Sequence, residues 1–256
     1  MLKFRKVKDL RGARAAAMRI CSDKVKGNIV LPSPAIEEHA GLPAADGAAV
    51  AAFIAANLPL TPAPGLPEIL IHTAVPASGL RRLTAGRNPY WAWCWAGGLA
   101  LARHVLAEPA LVAGLRVLDL GAGSGLVGIA AAKAGAGHVL ALDNDSDAVA
   151  AMGLNAQANG VSLEARCADL LDGAPPPVDV VLVGDLFYDR ATADRVTRFL
   201  DRCCAIGARV LIGDPRRAFL PLDRLDLVAD YPARDFGESG AGEGRAGVFS
   251  FRVRSV

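Results

Sequence analysis

The sequence predicts an α/β protein built around a buried parallel β-sheet. From residue 115 onward, short apolar runs alternate with helix-forming segments, which is the pattern of repeated βαβ units. The first run leads into a glycine-rich turn, and four runs end in an aspartate: Asp119, Asp143, Asp185 and Asp214. Ligands of open parallel sheets bind outside the carboxyl ends of the strands, so these acids mark the expected position of a site. For any single one of them, a turn or a helix cap explains the aspartate equally well.

The strands and helices of this sheet follow each other along the chain. The predicted strands span residues 115–120, 138–143, 163–167, 179–185 and 209–214, and residues 226–236 and 248–253 form a final strand pair. The helices between them span residues 127–134, 146–159 and 191–204, and the second of these begins with Ser146 as its N-cap.

The part of the chain before the sheet is predicted to be a smaller extension. Residues 34–58 are rich in alanine and predict one or two helices, interrupted near residues 41–43. Residues 61–67 contain three prolines and predict a loop, whereas residues 68–75 predict a strand with residues 79–83 as its partner. We therefore divide the chain into a basic, disordered segment over 1–33, an extension of helices, a β-hairpin and a tryptophan-rich segment over 34–110, and the sheet domain over 111–256.

The composition excludes several classes of protein. Apolar residues make up 52% of the 256 residues and charged residues 21%, a balance that supplies a core and excludes a disordered chain. No uninterrupted apolar stretch of about 18 residues occurs, so no membrane-spanning helix is expected. The five cysteines form no C-x-x-C pair and the four histidines are scattered. This pattern predicts neither a disulfide framework nor a metal site, and it favours a reducing compartment.

Charge is distributed unevenly along the chain. Residues 1–26 hold nine basic and two acidic residues, a net charge of +7, whereas the remainder carries a net charge of −5. A basic terminus can bind nucleic acid or ribosomes or act in targeting, although a solvated arm is the simpler explanation. The acidic body argues against an extended surface for nucleic acid.

The glycine-rich turn has the sequence V-L-D-L-G-A-G-S-G over residues 117–125. Gly121, Gly123 and Gly125 allow the backbone to turn sharply and to approach a ligand closely. Loops of this kind bind nicotinamide, flavin or S-adenosylmethionine cofactors, so the glycines alone do not choose among them. Asp119 stands two residues before the first glycine, where it can hold the loop or accept a hydrogen bond from the amino group of a ligand.

Two further acids add to this prediction. Asp143 ends the next strand, 22 residues after Gly121, where it can accept hydrogen bonds from ribose hydroxyls. Asp169 follows the third strand, where a carboxylate can reach the exocyclic amine of adenine. Together with the G-x-G-x-G spacing, these acids favour S-adenosylmethionine over a dinucleotide. Because NAD enzymes share the ribose-binding acid, a nicotinamide-dependent oxidoreductase stays open as the alternative.

A cluster of aromatic residues precedes the glycine loop. The segment Y-W-A-W-C-W over residues 90–95 contains Tyr90 and all three tryptophans of the chain. Aromatic faces attract sulfonium and ammonium cations, so these rings suit the wall of a pocket for such a ligand. Because alternate side chains of an extended segment point in opposite directions, about half of the rings are expected in the core.

Five motifs, in their order along the chain, resemble one protein family. They are W-A-W-C-W-A-G-G (91–98), V-L-D-L-G-A-G-S-G (117–125), A-L-D-N-D (141–145), D-L-F-Y-D-R (185–190) and I-G-D-P-R-R-A-F-L-P (212–221). Over residues 68–256 the chain resembles the lysine methyltransferases that modify the electron transfer flavoprotein beta subunit. It departs from the family pattern at Ala96, where the family has proline, and at Arg216, where it has glycine.

The resemblance implies a fold, a reaction and a set of site residues. The fold is the Rossmann-like, seven-stranded sheet of class I methyltransferases, and the reaction is methyl transfer from S-adenosyl-L-methionine to a protein lysine. In the motif D-x-x-Y, Asp185, through its backbone carbonyl or its carboxylate, and the hydroxyl of Tyr188 are expected to orient the lysine amine as the catalytic pair. The implied cofactor-binding residues are Trp95, Asp119, Gly121, Gly123, Gly125, Asp143 and Asp169, and no metal is required.

The implied substrate is the electron transfer flavoprotein beta subunit, with a ribosomal stalk protein as a second target and no nucleic acid or membrane as partner. The implied location is the cytoplasm, or the mitochondrial matrix if the source is eukaryotic. Ribosomal protein L11-type and small-molecule methyltransferases are the nearest alternatives. A nucleotide-fold binding module and an NAD-linked oxidoreductase are more distant ones, because no Y-x-x-x-K occurs and only Lys133 lies beyond residue 26.

Overall fold

A computed structural model describes residues 47–84, 88–235 and 244–252 of the chain. The predicted basic segment over 1–33 and the first part of the predicted helical segment over 34–58 lie outside these residues. The helices are α1 (Gly47–Asn57), α2 (Arg81–Thr84), α3 (Ala96–Ala107), α4 (Leu126–Lys133), α5 (Ser146–Ala158) and α6 (Arg190–Ala205). The strands are β1 (Leu60–Ala63), β2 (Leu66–His72), β3 (Arg116–Leu120), β4 (His138–Asp143), β5 (Glu164–Cys167), β6 (Val180–Gly184), β7 (Arg209–Asp214), β8 (Leu225–Pro232) and β9 (Arg245–Phe251).

Seven of the strands form one sheet in the order β5-β4-β3-β6-β7-β9-β8. Strands β3 to β7 run parallel to one another, and β9 is antiparallel to both β7 and β8. The predicted α/β fold with a mostly parallel seven-stranded sheet is therefore confirmed. From β3 the chain continues to β4 and β5 on one side, and from β6 it continues to β7 on the other side. The carboxyl ends of β3 and β6 therefore lie at the switch point of the sheet.

The central strands are buried on both faces, as expected for a parallel sheet covered by helices. Val117 and Leu118 on β3 and Val181 and Leu182 on β6 have no exposed surface. Each predicted strand of the sheet corresponds to an observed strand within a few residues, because a continuous apolar run between turn residues leaves little choice. One cap differs: the N-cap of α5 is Asp145, whose side chain accepts a hydrogen bond from the Asp147 N–H, and not Ser146.

The β-hairpin of the extension differs from the prediction. Residues 61–67 are not a continuous loop, since β1 (Leu60–Ala63) pairs antiparallel with β2, and Pro62 faces Leu70 in that pairing. Residues 79–83 are not the partner of β2, because they lead into the short helix α2. Proline lacks an N–H donor, but in a sheet of two strands each strand has an edge where no donor is needed. The prolines therefore misled the prediction at this point.

Asn159, the C-cap of α5, binds this hairpin, and Asn155 within α5 joins it to the glycine loop. Asn159 binds the backbone of Leu70 in both directions, with its Oδ1 accepting at 2.9 Å and its Nδ2 donating at 2.6 Å. Asn155 accepts from the N–H of His72 at 2.9 Å and donates to the carbonyl of Ser124 at 2.9 Å. The fully buried side-chain amide of Asn155 thus connects the hairpin to the loop after β3.

The first turn of α3 packs directly against β7. A Cβ atom on Gly97 would overlap the carbonyl group of Gly213, and a Cβ atom on Gly213 would overlap that of Gly97. Only glycine therefore allows α3 to begin beside the carboxyl ends of β6 and β7. This contact brings the tryptophan-rich segment, which ends where α3 starts, to the same edge of the sheet.

Among the helices described, none combines the length and the apolar character needed to span a bilayer.

Replacing Gly97 with alanine is expected to lower the free energy of unfolding by about 3 kcal/mol, because the methyl group meets rigid backbone on β7. The matched control is Gly153→Ala on α5, where no atom lies within 4 Å of the added carbon. That change should raise the free energy of unfolding by about 0.5–1 kcal/mol through helix propensity. Urea denaturation measures both variants, and two effects of equal size and sign would contradict the close packing of α3 on β7.

Candidate functional site

A cleft of about 550 Å³ opens at the carboxyl ends of β3, β4, β5 and β6. This is the edge of the sheet at which the aspartate-terminated strands predict a site. Seven of the nine predicted site residues line the cleft: Trp95, Gly121, Gly123, Asp143, Asp169, Asp185 and Tyr188. The cleft is also lined by side chains that the sequence did not single out, among them Asn88, Thr192, Arg195 and Arg217.

The glycine loop presents its backbone to the cleft. Gly121 and Gly123 have φ angles of 66° and 54°, in the left-handed region that other residues rarely adopt. A Cβ atom on Gly121 would also lie 2.5 Å from Cδ2 of Leu186, so a side chain at this position would require Leu186 to move. The loop can therefore approach a ligand as closely as backbone atoms allow.

Asp143, the last residue of β4, holds the glycine loop with its carboxylate. Its Oδ2 accepts a hydrogen bond of 2.9 Å from the N–H of Gly123, and its Oδ1 accepts one of 3.0 Å from that of Asp145. Burial raises the pKa of this carboxyl group, and the backbone hydrogen bonds lower it. A carboxylate offers about four acceptor positions, so Asp143 keeps capacity for the hydroxyl groups of a ligand.

Asp119 and Gly125 lie behind the loop and do not line the cleft. Asp119 is 1% exposed, and its Oδ2 accepts a hydrogen bond of 2.7 Å from the N–H of Gly128 in the first turn of α4. Burial raises the pKa of Asp119 to about 7. Gly125 precedes α4, and a Cβ atom there would lie 3.1 Å from Cγ of Met152. Of the two roles considered for Asp119, this geometry supports the one in which it holds the loop.

Asp169, which follows β5, lines the cleft but is already paired. Its Oδ2 lies 2.9 Å from Nη2 of Arg195, and its Oδ1 accepts a hydrogen bond of 3.0 Å from the N–H of Leu171. Arg195, on α6, also lies 2.6 Å from Oδ2 of Asp172. A ligand amine that reaches Asp169 would therefore share this carboxylate with Arg195.

Asp185, which follows β6, has its carboxylate engaged at the start of α3. The carboxylate oxygens accept hydrogen bonds from the N–H groups of Gly97, at 3.1 Å, and Gly98, at 2.6 Å. Its φ angle of 60° is uncommon for a residue other than glycine, although aspartate tolerates it better than most. Burial raises the pKa of Asp185 to about 6, although the charge of Arg217 lowers it. The side chain thus supports the N-terminus of α3.

Arg217 joins three carboxylates beside the cleft. It forms an ion pair with Asp185, and it lies 3.4 Å from Oδ2 of Asp214 and 2.7 Å from Oδ2 of Asp235. Asp235 in turn accepts a hydrogen bond of 2.9 Å from the N–H of Ala96, the first residue of α3. Burial raises the pKa of Asp214, which has no exposed surface. Sequence reasoning missed Arg217 and Asp235, and the only available signal was the arginine pair after G-D-P.

Aromatic side chains form one wall of the cleft. Trp91 is 3% exposed and packs in the core, and its Nε1 has no hydrogen-bond partner within the described ranges. Nε1 of Trp95 donates to the carbonyl of Tyr90 at 2.8 Å, and the two ring centroids lie 6.0 Å apart. Tyr90 also stacks on Tyr188, with 6.4 Å between centroids and 25° between planes. The rings thus divide between core and cleft wall, but not by alternation: Trp91 is buried while also lining the cleft, and Tyr90 and Trp95 lie on the wall, because residues 90–92 form a 3-10 turn and not an extended segment.

The lining of the cleft is negatively charged. Its ionisable side chains are four carboxylates and two guanidinium groups, a net charge of −2 when all are ionised: Asp143, Asp145, Asp169, Asp185, Arg195 and Arg217. No group of three or more potential metal ligands occurs in the part of the chain that the structure describes. The arrangement can bind a nucleoside between the glycine loop and Asp143, and it can draw a cationic amine towards an aromatic wall.

Known proteins resemble this chain in sequence and in fold. The family model for ribosomal protein L11 methyltransferase (PrmA) matches residues 104–185. The electron transfer flavoprotein beta subunit lysine methyltransferase of Rattus norvegicus is 43% identical over 132 residues, which cover 51% of this chain and 52% of that protein. The protein of the same name from Xenopus laevis is 40% identical over 172 residues, 65% of this chain and 70% of that protein. The match thus spans about half the length of the rat protein and more of the frog protein.

A solved structure, that of a proposed RNA methyltransferase from Pyrococcus horikoshii, aligns with a TM-score of 0.51 and 15% sequence identity. The alignment covers 66% of this chain and 92% of that chain. At this identity the likeness concerns the fold alone.

The buried carboxyl group of Asp119 predicts a pH dependence of stability. Because its folded pKa of about 7 exceeds the usual value of 3.8, its stabilising contribution is complete below pH 3.8 and is lost as pH rises through 7. The neutral variant Asp119→Asn lacks this loss. Its free energy of unfolding relative to the natural protein should therefore increase between these pH values, by at most about 4 kcal/mol. Urea denaturation of both proteins across this range measures the difference, and curves that stay parallel would contradict the assignment.

Proposed function

The chain belongs to the electron transfer flavoprotein beta subunit lysine methyltransferase family, and on that premise we propose that it transfers a methyl group from S-adenosyl-L-methionine to lysine side chains of that flavoprotein subunit. The observation that carries the proposal is the cleft itself. One cavity joins a glycine loop held by Asp143 to a mouth formed around Asp185, where Tyr90 and Tyr188 provide an aromatic wall. A nucleoside-binding half and an amine-binding half thus share one space.

The residues of the nucleoside half fit the proposed cofactor. The loop at Gly121 and Gly123 leaves no side chain between backbone and ligand, and Asp143 retains acceptor capacity for ribose hydroxyls. Asp169 provides a carboxylate for the adenine amine, and Trp95 provides an aromatic face near a sulfonium. When bound, the cofactor supplies a methyl group on a positively charged sulfur, which is a good leaving group. The task left to the protein is to align the acceptor nitrogen with that methyl group.

The residues of the mouth suit a lysine that must arrive without its proton. The usual lysine pKa is about 10.4, and both burial against aromatic rings and a nearby sulfonium charge favour the neutral amine. We propose that the backbone carbonyl of Asp185 and the hydroxyl of Tyr188 accept hydrogen bonds from the amine and orient its lone pair. The carboxylate of Asp185 is occupied by Gly97, Gly98 and Arg217, which supports the carbonyl as the acceptor.

The flavoprotein subunit is favoured over other acceptors by the parts of the chain that match. The family model for ribosomal protein L11 methyltransferase matches only residues 104–185, which hold the glycine loop, Asp143 and Asp169 but neither Tyr90 nor Tyr188. A ribosomal stalk protein is therefore the second candidate. A nucleic acid is disfavoured because the cleft lining carries a net charge of −2, which repels phosphates.

We further propose that the protein works in a reducing compartment, the cytoplasm or, in a eukaryote, the mitochondrial matrix. The four cysteines within the described ranges are free thiols, and two of them are buried. This is the cysteine usage expected where disulfides do not form.

A methyl-transfer assay tests the proposed function. Purified flavoprotein beta subunit, ribosomal stalk protein, total RNA and a mixture of small amines are each incubated with the protein and methyl-labelled S-adenosylmethionine. We expect label on lysines of the flavoprotein subunit, and its loss when those lysines are changed to arginine. As a control, Asp143→Ala should weaken cofactor affinity by about tenfold or more, because it removes charged acceptors from the ribose. Label confined to RNA or to small amines would overturn the proposal.

We expect the hydroxyl group of Tyr188 to contribute to kcat. Tyr188→Phe keeps the ring that stacks on Tyr90 but removes the hydrogen bond to the amine. We expect kcat to fall by about tenfold, the value of one hydrogen bond, while KM for the cofactor stays within about twofold. The matched control is Tyr231→Phe, which removes a hydroxyl that contacts His104 and does not line the cleft. If both variants have the natural kcat, Tyr188 has no role in orienting the amine.

A further inference from the structure

Three aromatic side chains around the cleft are exposed to solvent. Tyr90 is 60% exposed, Tyr188 57% and Phe219 36%, and within the described ranges these are the exposed aromatic residues. They come from three segments that are distant in sequence. Single exposed apolar residues are ordinary, but a concentration of aromatic rings beside one cleft indicates a surface that binds something.

These rings form two contacting pairs on neighbouring segments, and we call the set Tyr90, Tyr188, Arg190 and Phe219 the mouth rim. The ring of Tyr90 stacks on that of Tyr188 at 6.4 Å. Two residues further along the chain, Cζ of Arg190 lies 5.5 Å from the ring centroid of Phe219. The rim therefore runs from the tryptophan-rich segment, across the start of α6, to the loop after β7.

The mouth rim extends beyond the cleft. Tyr90 and Tyr188 line the cleft, whereas Arg190 and Phe219 do not. An acceptor small enough to be enclosed by the cleft therefore gains nothing from these two residues. Tyrosine and arginine are the residue types that most often dominate protein interfaces, and a guanidinium stacked on a ring is already ordered before binding.

We propose that the mouth rim is the docking surface for the folded protein that carries the acceptor lysine, with Arg190 and Phe219 as its contacts outside the cleft. The inference rests on the proposed lysine methylation and adds to it the surface by which the substrate is selected. Continuity with the cleft and the negative charge of the lining both suit a protein segment that presents a lysine.

The test compares a whole protein with a peptide. The natural protein, Phe219→Ala and Arg190→Ala are assayed on the flavoprotein beta subunit and on a short synthetic peptide that contains the methylated lysine, which mass spectrometry identifies. For the whole protein we expect KM to rise about five- to tenfold in each variant, the size of a single interface contact, with kcat unchanged. With the peptide as substrate, the natural protein should have a lower kcat/KM than with the whole flavoprotein subunit. Each variant should have a kcat/KM for the peptide within about twofold of that of the natural protein.

Leu227→Ala is the matched control, because it truncates a side chain that is 56% exposed but lies on β8, the far edge strand of the sheet. It should change none of these values. Melting temperatures and the affinity for S-adenosylhomocysteine, measured for every variant, report on the fold and the cofactor site. A KM for the flavoprotein subunit that is unchanged in the variants overturns the docking surface. An equal fall in kcat/KM for the subunit and for the peptide also overturns it, because that result would assign Phe219 to the cleft. If the natural protein methylates neither, the proposed function fails and the docking surface fails with it.

Discussion

The ion-pair cluster around Arg217 is the interaction on which the geometry of the cleft depends. Three carboxylates that are at most 19% exposed meet at one guanidinium: those of Asp185, Asp214 and Asp235. Burial raises the pKa of Asp185 and of Asp214, and the charge of Arg217 opposes that rise in both. The cluster also faces the N-terminus of α3, whose backbone N–H groups and dipole favour negative charge.

This cluster links segments that no single element brings together. Asp185 follows β6, Asp214 ends β7, and Asp235 follows β8, and two of them, Asp185 and Asp235, accept hydrogen bonds from the first turn of α3. Since α3 begins at the residue after Trp95, the cluster fixes where the tryptophan-rich segment leaves the sheet. The close contact of Gly97 with Gly213 leaves no room for another arrangement. The aromatic wall and the glycine loop therefore face each other because a charge cluster and two glycines hold α3 in one place.

The sequence predicted the parts of this site that local rules determine. Apolar runs ended by Asp143 and Asp185, and the glycines at 121 and 123, identified the edge of the sheet where the cleft lies. The sequence could not decide whether Asp119 holds the glycine loop or contacts a ligand, because spacing alone does not reveal which way a side chain points from a strand. It also missed Arg217 and Asp235, since the pairing of a guanidinium with distant carboxylates is a consequence of tertiary packing. The prediction of the hairpin was wrong for a different reason: proline is excluded from sheet interiors but not from the free edge of a two-stranded sheet.

The division of the cleft has a consequence for how specificity arises in this fold. The stretch that matches the family model for ribosomal protein L11 methyltransferase, residues 104–185, contains the glycine loop and the acids after β4 and β5. The aromatic wall of the cleft and the mouth rim are built from segments outside it, before α3 and after β6 and β7. Chemistry on a lysine amine requires little of the protein beyond alignment, so the segments that align the acceptor are the ones free to differ between enzymes. Arg217 belongs to this second set, and its ion pair with Asp185, the last residue of the matched stretch, joins the two sets of segments.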